Sequence, residues 1–274
     1  MMRDPIERAY FATCLALGKL LRAGRYSKTV AVNRQIRKHR VFYAPLLIWM
    51  GAGLMKLLDT GVRVLPRREW MERERRIYQL LYGTSVASTD SALILPWLAG
   101  ETLAKLLEDP NIDAALRREL IKRAAIALAD FHRRGLTHGD AMAENVMIDI
   151  DAGSARWFDF ETVHESSGPR QRADDVRALL ATCLIRTAPE KRAEILLVIL
   201  DAYADDEITR ILTKNFSVIL GRPLTFHLGQ APLCIQSYRE IARLLNDVTR
   251  DGRLPSDRSK RPGVPVPGTQ SLRR

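Results

Sequence analysis

Cysteine is scarce in this sequence: three residues in 274, Cys14, Cys183 and Cys234, far apart in the chain. So few cannot make a disulfide framework or a thiolate metal cluster, and a reducing compartment is the expected home. Long apolar runs are also missing. The longest, Val41 to Met55, is interrupted by Pro45, Gly51 and Gly53 and ended by Lys56. It falls short of the ~20 residues a membrane-spanning helix needs, and reads as buried core, with contact to a membrane surface as the alternative. No secretion signal is evident, because Asp4 and Glu7 precede the apolar Tyr10–Leu17 stretch and no small-residue cleavage pattern follows. There is no internal repeat and no G-x-G-x-x-G ahead of the central region. What remains, 46% apolar and 27% charged residues, is the composition of a globular protein. That excludes collagen, long disordered polymers and multi-span membrane proteins.

The net charge of +11 is unevenly placed. Residues 1–40 carry ten Lys/Arg against two acids, residues 251–274 six against two, and residues 41–250 are nearly neutral. A neutral middle argues against a nucleic-acid partner, which would call for a basic stripe and a reader motif. Basic ends suit an anionic membrane surface or a phosphate-rich substrate, and equally a role confined to solubility. The expected location is cytoplasmic, with peripheral attachment at the inner face of the membrane as a variant.

Apolar spacing and breakers predict the elements. Helices are expected over Pro5–Arg22, Glu69–Leu81, Gly100–Leu107, Asp113–Arg134 and Ile235–Val248, with residues 173 to about 213 mostly helical. In the second of these, Ile77, Leu80 and Leu81 share a face, with Trp70 and Glu74 on or beside it. Strands are expected at Thr29–Val32, extended toward Ile36, and at Val62–Leu65, Ala92–Leu95, Val146–Ile150 and Ala155–Phe158. The last two are joined by Asp151-Ala152-Gly153-Ser154, a hairpin signal. Pro45–Leu58 reads equally as buried helix or strands. From Asp251 the Pro-, Gly- and Arg-rich sequence predicts a disordered tail.

The chemistry concentrates between Gly135 and Glu161. A long helix ends, a tight turn His138-Gly139-Asp140 follows, Asn145 comes five residues after Asp140, and a hairpin returns to Asp159. Asp140, Asn145 and Asp159 are thereby delivered to one edge. Carboxylate and amide oxygens are hard ligands suited to Mg²⁺, and a carboxylate beside two such ligands is what phosphoryl transfer to a hydroxyl requires.

His138-Gly139-Asp140…Asn145 and Asp159-Phe160-Glu161 resemble the catalytic and metal-binding loops of the protein-kinase-like superfamily. The HGD form, and Glu where DFG ends in Gly, are most similar to small atypical kinases: aminoglycoside phosphotransferases, the KEOPS-complex kinase and the lipopolysaccharide-core (WaaP/Kdo) kinases. The resemblance implies ATP and Mg²⁺. Asp140 would position and deprotonate the acceptor hydroxyl, His138 support the loop, and Asn145 and Asp159 hold Mg²⁺. Leu93-Ile94-Leu95-Pro96 followed by Leu98 to Leu103 resembles the hinge, so backbone groups near Leu95 to Leu98 would meet adenine. Glu74, with Glu72 as competitor, would pair with the ATP-binding lysine. Lys38 is the choice for that lysine, ahead of Lys28 and Lys56. Asp174 or Asp175 would brace the catalytic loop, or else only supply an acidic first turn. The phosphate-covering hairpin would come from Gly24-Arg25-Tyr26-Ser27 or be degenerate.

The expected fold is α+β, protein-kinase-like and two-lobed: a reduced N-terminal lobe over 1–97, a mostly helical catalytic lobe over 98–250, and a basic tail over 251–274. The expected activity is ATP- and Mg²⁺-dependent phosphorylation of a hydroxyl on a lipopolysaccharide-core or related glycolipid sugar. An atypical protein Ser/Thr kinase, a soluble small-molecule kinase and a pseudokinase scaffold are the alternatives.

Overall fold

A computed structural model describes residues 27–32, 35–40, 65–163, 168–214, 241–248 and 250. The expected helices over 5–22 and at the start of 235–248, the ambiguous 45–58 stretch, nearly all of the 62–65 strand, the 24–26 turn and the tail lie outside these residues.

Two small sheets and a helical layer make an α+β architecture, the class the sequence predicts. The first sheet has the order β1-β2-β4-β3, with β1 Ser27–Val32, β2 Gln35–Arg40, β3 Ala87–Ser88 and β4 Ala92–Pro96. All its neighbours are antiparallel. Here the expectation of one strand running toward Ile36 is corrected: β1 pairs with a second strand, Val32 opposite Gln35. The sequence Gln-Ile-Arg-Lys-His-Arg hides that strand because one inward position is a lysine. Alternation is nonetheless present, with Arg37 exposed between half-buried Ile36 and buried Lys38. The register sets Lys38 opposite Leu93 and Ile36 opposite Leu95.

Helix α1, Arg67–Tyr82, packs beneath this sheet through Trp70, Glu74, Ile77 and Tyr78, spaced by four, three and one. Leu80, expected on that face, is instead half exposed at 50%. Gly83 ends the helix in the left-handed conformation and donates its N–H to Gln79 O.

Gly100 is followed by the two-residue strand β5, Glu101–Thr102, and only then by helix α2, Leu103–Glu108. The expected helix therefore begins three residues late. The cause is a close approach: Gly100 has φ +103, and a Cβ there would lie 2.0 Å from Ile148 O. β5 joins the second sheet, order β5-β6-β7, with β6 Val146–Asp149 and β7 Ser154–Trp157. The expected hairpin is present, with Val146 opposite Trp157.

Helix α3, Ala114–Arg133, is capped by the Asp113 carboxylate, which accepts the Leu116 N–H at 2.7 Å. Its buried stripe includes Leu120, Ala124, Leu128 and Phe131. Behind it lie α4 (Pro169–Leu184), α5 (Arg192–Tyr203) and α6 (Asp206–Lys214), and residues 241–248 form a further helix. α4 is buried nearly all round, from Asp175 to Leu184, which makes it the central post of this layer. Among the described residues, no helix is long and apolar enough to cross a membrane.

Candidate active site

The site forms where the two sheets face each other. On the first sheet, Lys38 Nζ lies 3.0 Å from Glu74 Oε1 on α1. It also reaches Asp159 Oδ1 at 2.6 Å and Glu161 Oε1 at 3.2 Å. Of the lysines considered, Lys38 is the one placed on Glu74; the side chain of Lys28 and all of Lys56 lie outside the described residues. Glu72 is exposed, whereas Glu74 is fully buried. Glu161 was not anticipated as a partner, though its position beside Asp159 and Phe160 is the signal that could have found it.

One ammonium thus faces three carboxylates, and the protonation states follow. Burial works against the charged lysine, but Asp159, Glu161 and Glu74 outweigh it and hold the Lys38 pKa well above the ordinary lysine value. Burial pushes Glu74 up to about 7 against the pull of Lys38. Burial also opposes ionisation of Asp159, yet the short contact to Lys38 keeps that carboxyl below its usual range.

On the opposite wall, the His138–Asn145 loop is held through its backbone N–H groups. The Asp175 carboxylate of α4 accepts the His138 N–H at 2.6 Å and the Gly139 N–H at 2.8 Å. Charge-assisted bonds of this kind contribute about 1.5–3 kcal/mol each. Asp175 is therefore the residue that braces the loop; Asp174 instead pairs with Arg177. The buried His138 imidazole accepts the Asp140 N–H at Nδ1, so the proton resides on Nε2, which donates to Phe158 O at 3.0 Å. Burial holds this ring below the ordinary imidazole pKa, which keeps it neutral. His138 joins its own loop to the end of the strand that delivers Asp159.

Asn145, in a short 3₁₀ turn at Ala143–Asn145, donates its amide nitrogen to Asp140 O at 2.8 Å and Asp140 Oδ2 at 2.7 Å. Its backbone carbonyl accepts the Phe158 N–H. Asp159 follows in the left-handed conformation, φ 64°, which Asp tolerates better than most residues. That turn drives Phe160 into the core against Tyr78, Phe131 and His138, with ring centroids 5.0, 5.9 and 5.8 Å away. Phe160 thereby ties α1, α3 and the catalytic loop together. Desolvation by the surrounding protein, with the Asp159 charge adding to it, pushes Asp140 up to about 8.

Between the two walls is an apolar pocket lined by Ile36, Leu95, Pro96, Leu98, Met147 and Phe158, with Lys38 and Asp159 at its polar end. Leu95 and Leu98 both line it, and so does Phe158, which follows the end of β7, while Trp157 is buried. The donor set fits a hard divalent cation. The Asn145 nitrogen is committed to Asp140, which leaves its carbonyl oxygen as the ligand atom, and the Asp159 carboxylate keeps 41% of its side-chain surface exposed.

Residues 87–199 match the lipopolysaccharide kinase (Kdo/WaaP) family. The matched stretch runs from β3 into α5 and includes the hinge-like strand, the catalytic loop and Asp159. It begins after Lys38 and Glu74, so the pairing of those two stands on the structure alone. The match supports a kinase, and with it the resemblance to atypical kinases read from HGD…DFE. Among solved structures, the chain is similar to WbdD bound to a kinase inhibitor, at 16% identity with a TM-score of 0.41, over 80% of this chain and 44% of that one. It is also similar to the bifunctional kinase-methyltransferase WbdD, at 14% identity and 0.41, over 87% and 45%. The chain thus spans less than half the length of either structure. No curated protein matches it.

Proposed function

We propose that this protein transfers the terminal phosphoryl group of ATP, with Mg²⁺, to a hydroxyl of a lipopolysaccharide-core or related envelope glycolipid sugar. The observation that carries the phosphotransferase reading is the meeting of Asp159 and the Glu74-paired Lys38 at one apolar pocket, with the hydrogen-bonded Asp140–Asn145 pair near enough for the Asp159 charge to act on Asp140. The sugar acceptor is supported by the description of the family matched over residues 87–199.

In this reading adenine lies between Ile36, Leu95 and Met147, with the backbone near Leu95 to Leu98 meeting its edge. Lys38, oriented by Glu74, binds the nucleotide phosphates. Asn145 and Asp159 hold Mg²⁺, which when bound draws charge from the phosphate oxygens. Asp140 accepts the hydroxyl proton as the acceptor oxygen attacks. A carboxylate pushed up to about 8 is a stronger base than an ordinary aspartate and remains ionised in part near neutral pH. His138 and Asp175 fix the loop that aims it. The basic residues at both ends of the sequence would favour an anionic membrane surface, where such an acceptor is found.

Isothermal titration of ATP with and without Mg²⁺, on wild type and Asp159→Ala, tests the site. Binding that requires Mg²⁺ and disappears in Asp159→Ala is the expected result. Wild type that binds Mg·ATP but phosphorylates no acceptor would favour a pseudokinase scaffold. The membrane-surface component predicts binding to anionic vesicles that weakens as salt rises, and salt-insensitive binding would remove it.

A further inference from the structure

Helix α4 also holds the far end of the His138–Asn145 loop, through contacts that the proposed function leaves unused. At the start of the loop, Asp175 accepts the His138 and Gly139 N–H groups. Seven residues along, the Thr182 hydroxyl oxygen accepts the Ala143 N–H at 3.0 Å. Four further on, just past the end of the helix, Arg186 Nη2 donates to Glu144 Oε1 at 2.7 Å. Spacings of seven and four put all three side chains on one stripe of the helix. Arg186 is itself tied at its other nitrogens, Nη1 to Thr182 O at 2.9 Å and Nε to Glu108 Oε1, at the end of α2, at 2.7 Å.

The chemistry of these contacts leaves the turn little freedom. Thr182 and Ala143 are both buried. The hydroxyl proton goes to Ala178 O at 2.8 Å, so the Thr182 oxygen turns its lone pairs toward Ala143. A buried N–H stripped of its acceptor is costly, so the backbone at Ala143 sits where the hydroxyl is. Glu144 Oε2 is buried without a hydrogen-bond partner among the described residues, so Arg186 is the contact that holds this carboxylate. Asn145 closes the same turn, donating its N–H to Met142 O at 2.9 Å and its side-chain amide to Asp140.

We propose that Thr182 and Arg186 are positioning residues. They fix the Ala143–Asn145 turn and thereby the Asn145 side chain, whose carbonyl oxygen is a metal ligand in the phosphotransferase reading. The consequence for the metal rests on that reading, whereas the anchoring of the turn does not. One stripe of one buried helix then sets both ends of the loop, and Asp140 lies between the two anchors.

The test uses the full chain. Thr182→Val keeps the shape and loses the hydroxyl; Thr182→Ser keeps the hydroxyl and loses a methyl. Calorimetry at fixed ATP is expected to show the Mg²⁺ concentration for half-saturation rising about three- to tenfold in Thr182→Val, the size of one lost hydrogen bond, and staying within about twofold of wild type in Thr182→Ser. Arg186→Met is expected to raise it by a similar factor. Adenosine, which carries no phosphate to meet a metal, should bind wild type and variants alike. Amide exchange followed by NMR should speed up at Asn145 in Thr182→Val and Arg186→Met, and stay unchanged at His138 and Gly139, which Asp175 holds. A greater Mg²⁺ requirement in Thr182→Ser than in Thr182→Val would overturn the proposal, because lost packing acts in that order. So would an unchanged Asn145 exchange rate in both Thr182→Val and Arg186→Met. Wild type that binds no Mg·ATP, with Asn145 exchange still sensitive to Thr182→Val, would sink the phosphotransferase reading and leave the anchoring of the turn standing.

Discussion

The two walls of the cleft are held by opposite means. On the Lys38 side, one ammonium serves Glu74, Asp159 and Glu161 at 3.0, 2.6 and 3.2 Å, and negative charge is in excess. On the other side, the groups that fix the His138–Asn145 loop are paired donor to acceptor: Asp175 takes backbone N–H groups, His138 bridges to Phe158, and Asn145 holds Asp140. Under the proposed function the first wall would change when a cation and a polyphosphate arrive, because Asp159 could not stay with Lys38 and ligate a metal through the same oxygen. The second is arranged to stay as it is. Preorganisation belongs where the reacting hydroxyl must be aimed, and surplus charge where the ligand brings compensating charge.

Breaking each wall should therefore look different. Asp140→Asn is expected to lower turnover by roughly 10²–10⁴-fold, the range for loss of a general base. Its Mg·ATP affinity should change little, because the loop geometry survives; a variant that loses both in parallel would place Asp140 in nucleotide binding instead. Calorimetry beside a phosphoryl-transfer assay separates the two. Gly100→Ala attacks the support of the second wall without touching a reacting group. Its Cβ would meet Ile148 O at 2.0 Å from a backbone at φ +103. Overpacking and strain together are expected to cost about 2–4 kcal/mol, read as a lowered Tm.

How legible each wall was in the sequence follows the same division. The loop wall is local: Asp140, Asn145 and Asp159 lie within twenty residues, and helix, turn and hairpin each announce themselves through Asp113, Gly139 and the Asp151–Ser154 linker. The Lys38 wall is assembled from three distant segments, and its strand carries a lysine where an apolar residue would have marked the inward face. Leu80 misled for a related reason. The buried face of α1 is rotated toward Glu74, because the ion pair with Lys38 claims that position. Glu161 was missed because its partner, Lys38, is 123 residues away. No periodicity carries such pairings.

The pH dependence of the metal-free protein sharpens the contrast. Glu74 is raised to about 7 from 4.5, and Asp140 to about 8 from 3.8. A carboxyl whose pKa is raised in the folded state binds its proton more tightly folded than unfolded. Its stabilising effect is complete below the ordinary carboxylate range and is lost as pH rises through the folded value. Melting temperature is therefore expected to be a few degrees higher at about pH 6.5 than at about pH 8.5. Below that window the lowered pKa of His138 acts in the other sense, since its stabilisation is lost as pH falls through the ordinary imidazole value. Glu74→Gln should flatten the alkaline limb, and saturating Mg·ATP should suppress it. An alkaline limb unaffected by either would mean the excess charge of the Lys38 wall is not what the protein senses.

The smallest expected effect concerns strain. Among the described residues, two non-glycine residues have positive φ: Asp159 at 64° and Ala204 at 56°. Asp159 sits on the wall built to change and turns Phe160 into the core while presenting its carboxylate to Lys38. Ala204 follows Tyr203 and ends α5, where its methyl contributes nothing to the turn except a steric penalty of roughly 1–2 kcal/mol, which glycine would not carry. Because glycine also gives up more backbone freedom on folding, Ala204→Gly is expected to raise Tm by only about 1–3 °C, with kcat unchanged. The same substitution at Asp159 would remove a ligand and a Lys38 partner and end Mg²⁺-dependent binding, so equal strain would have unequal consequences. A loss of kcat in a more stable Ala204→Gly would show that the end of α5 must be stiff for the loop wall to keep its geometry, which would extend the fixed wall to the surface.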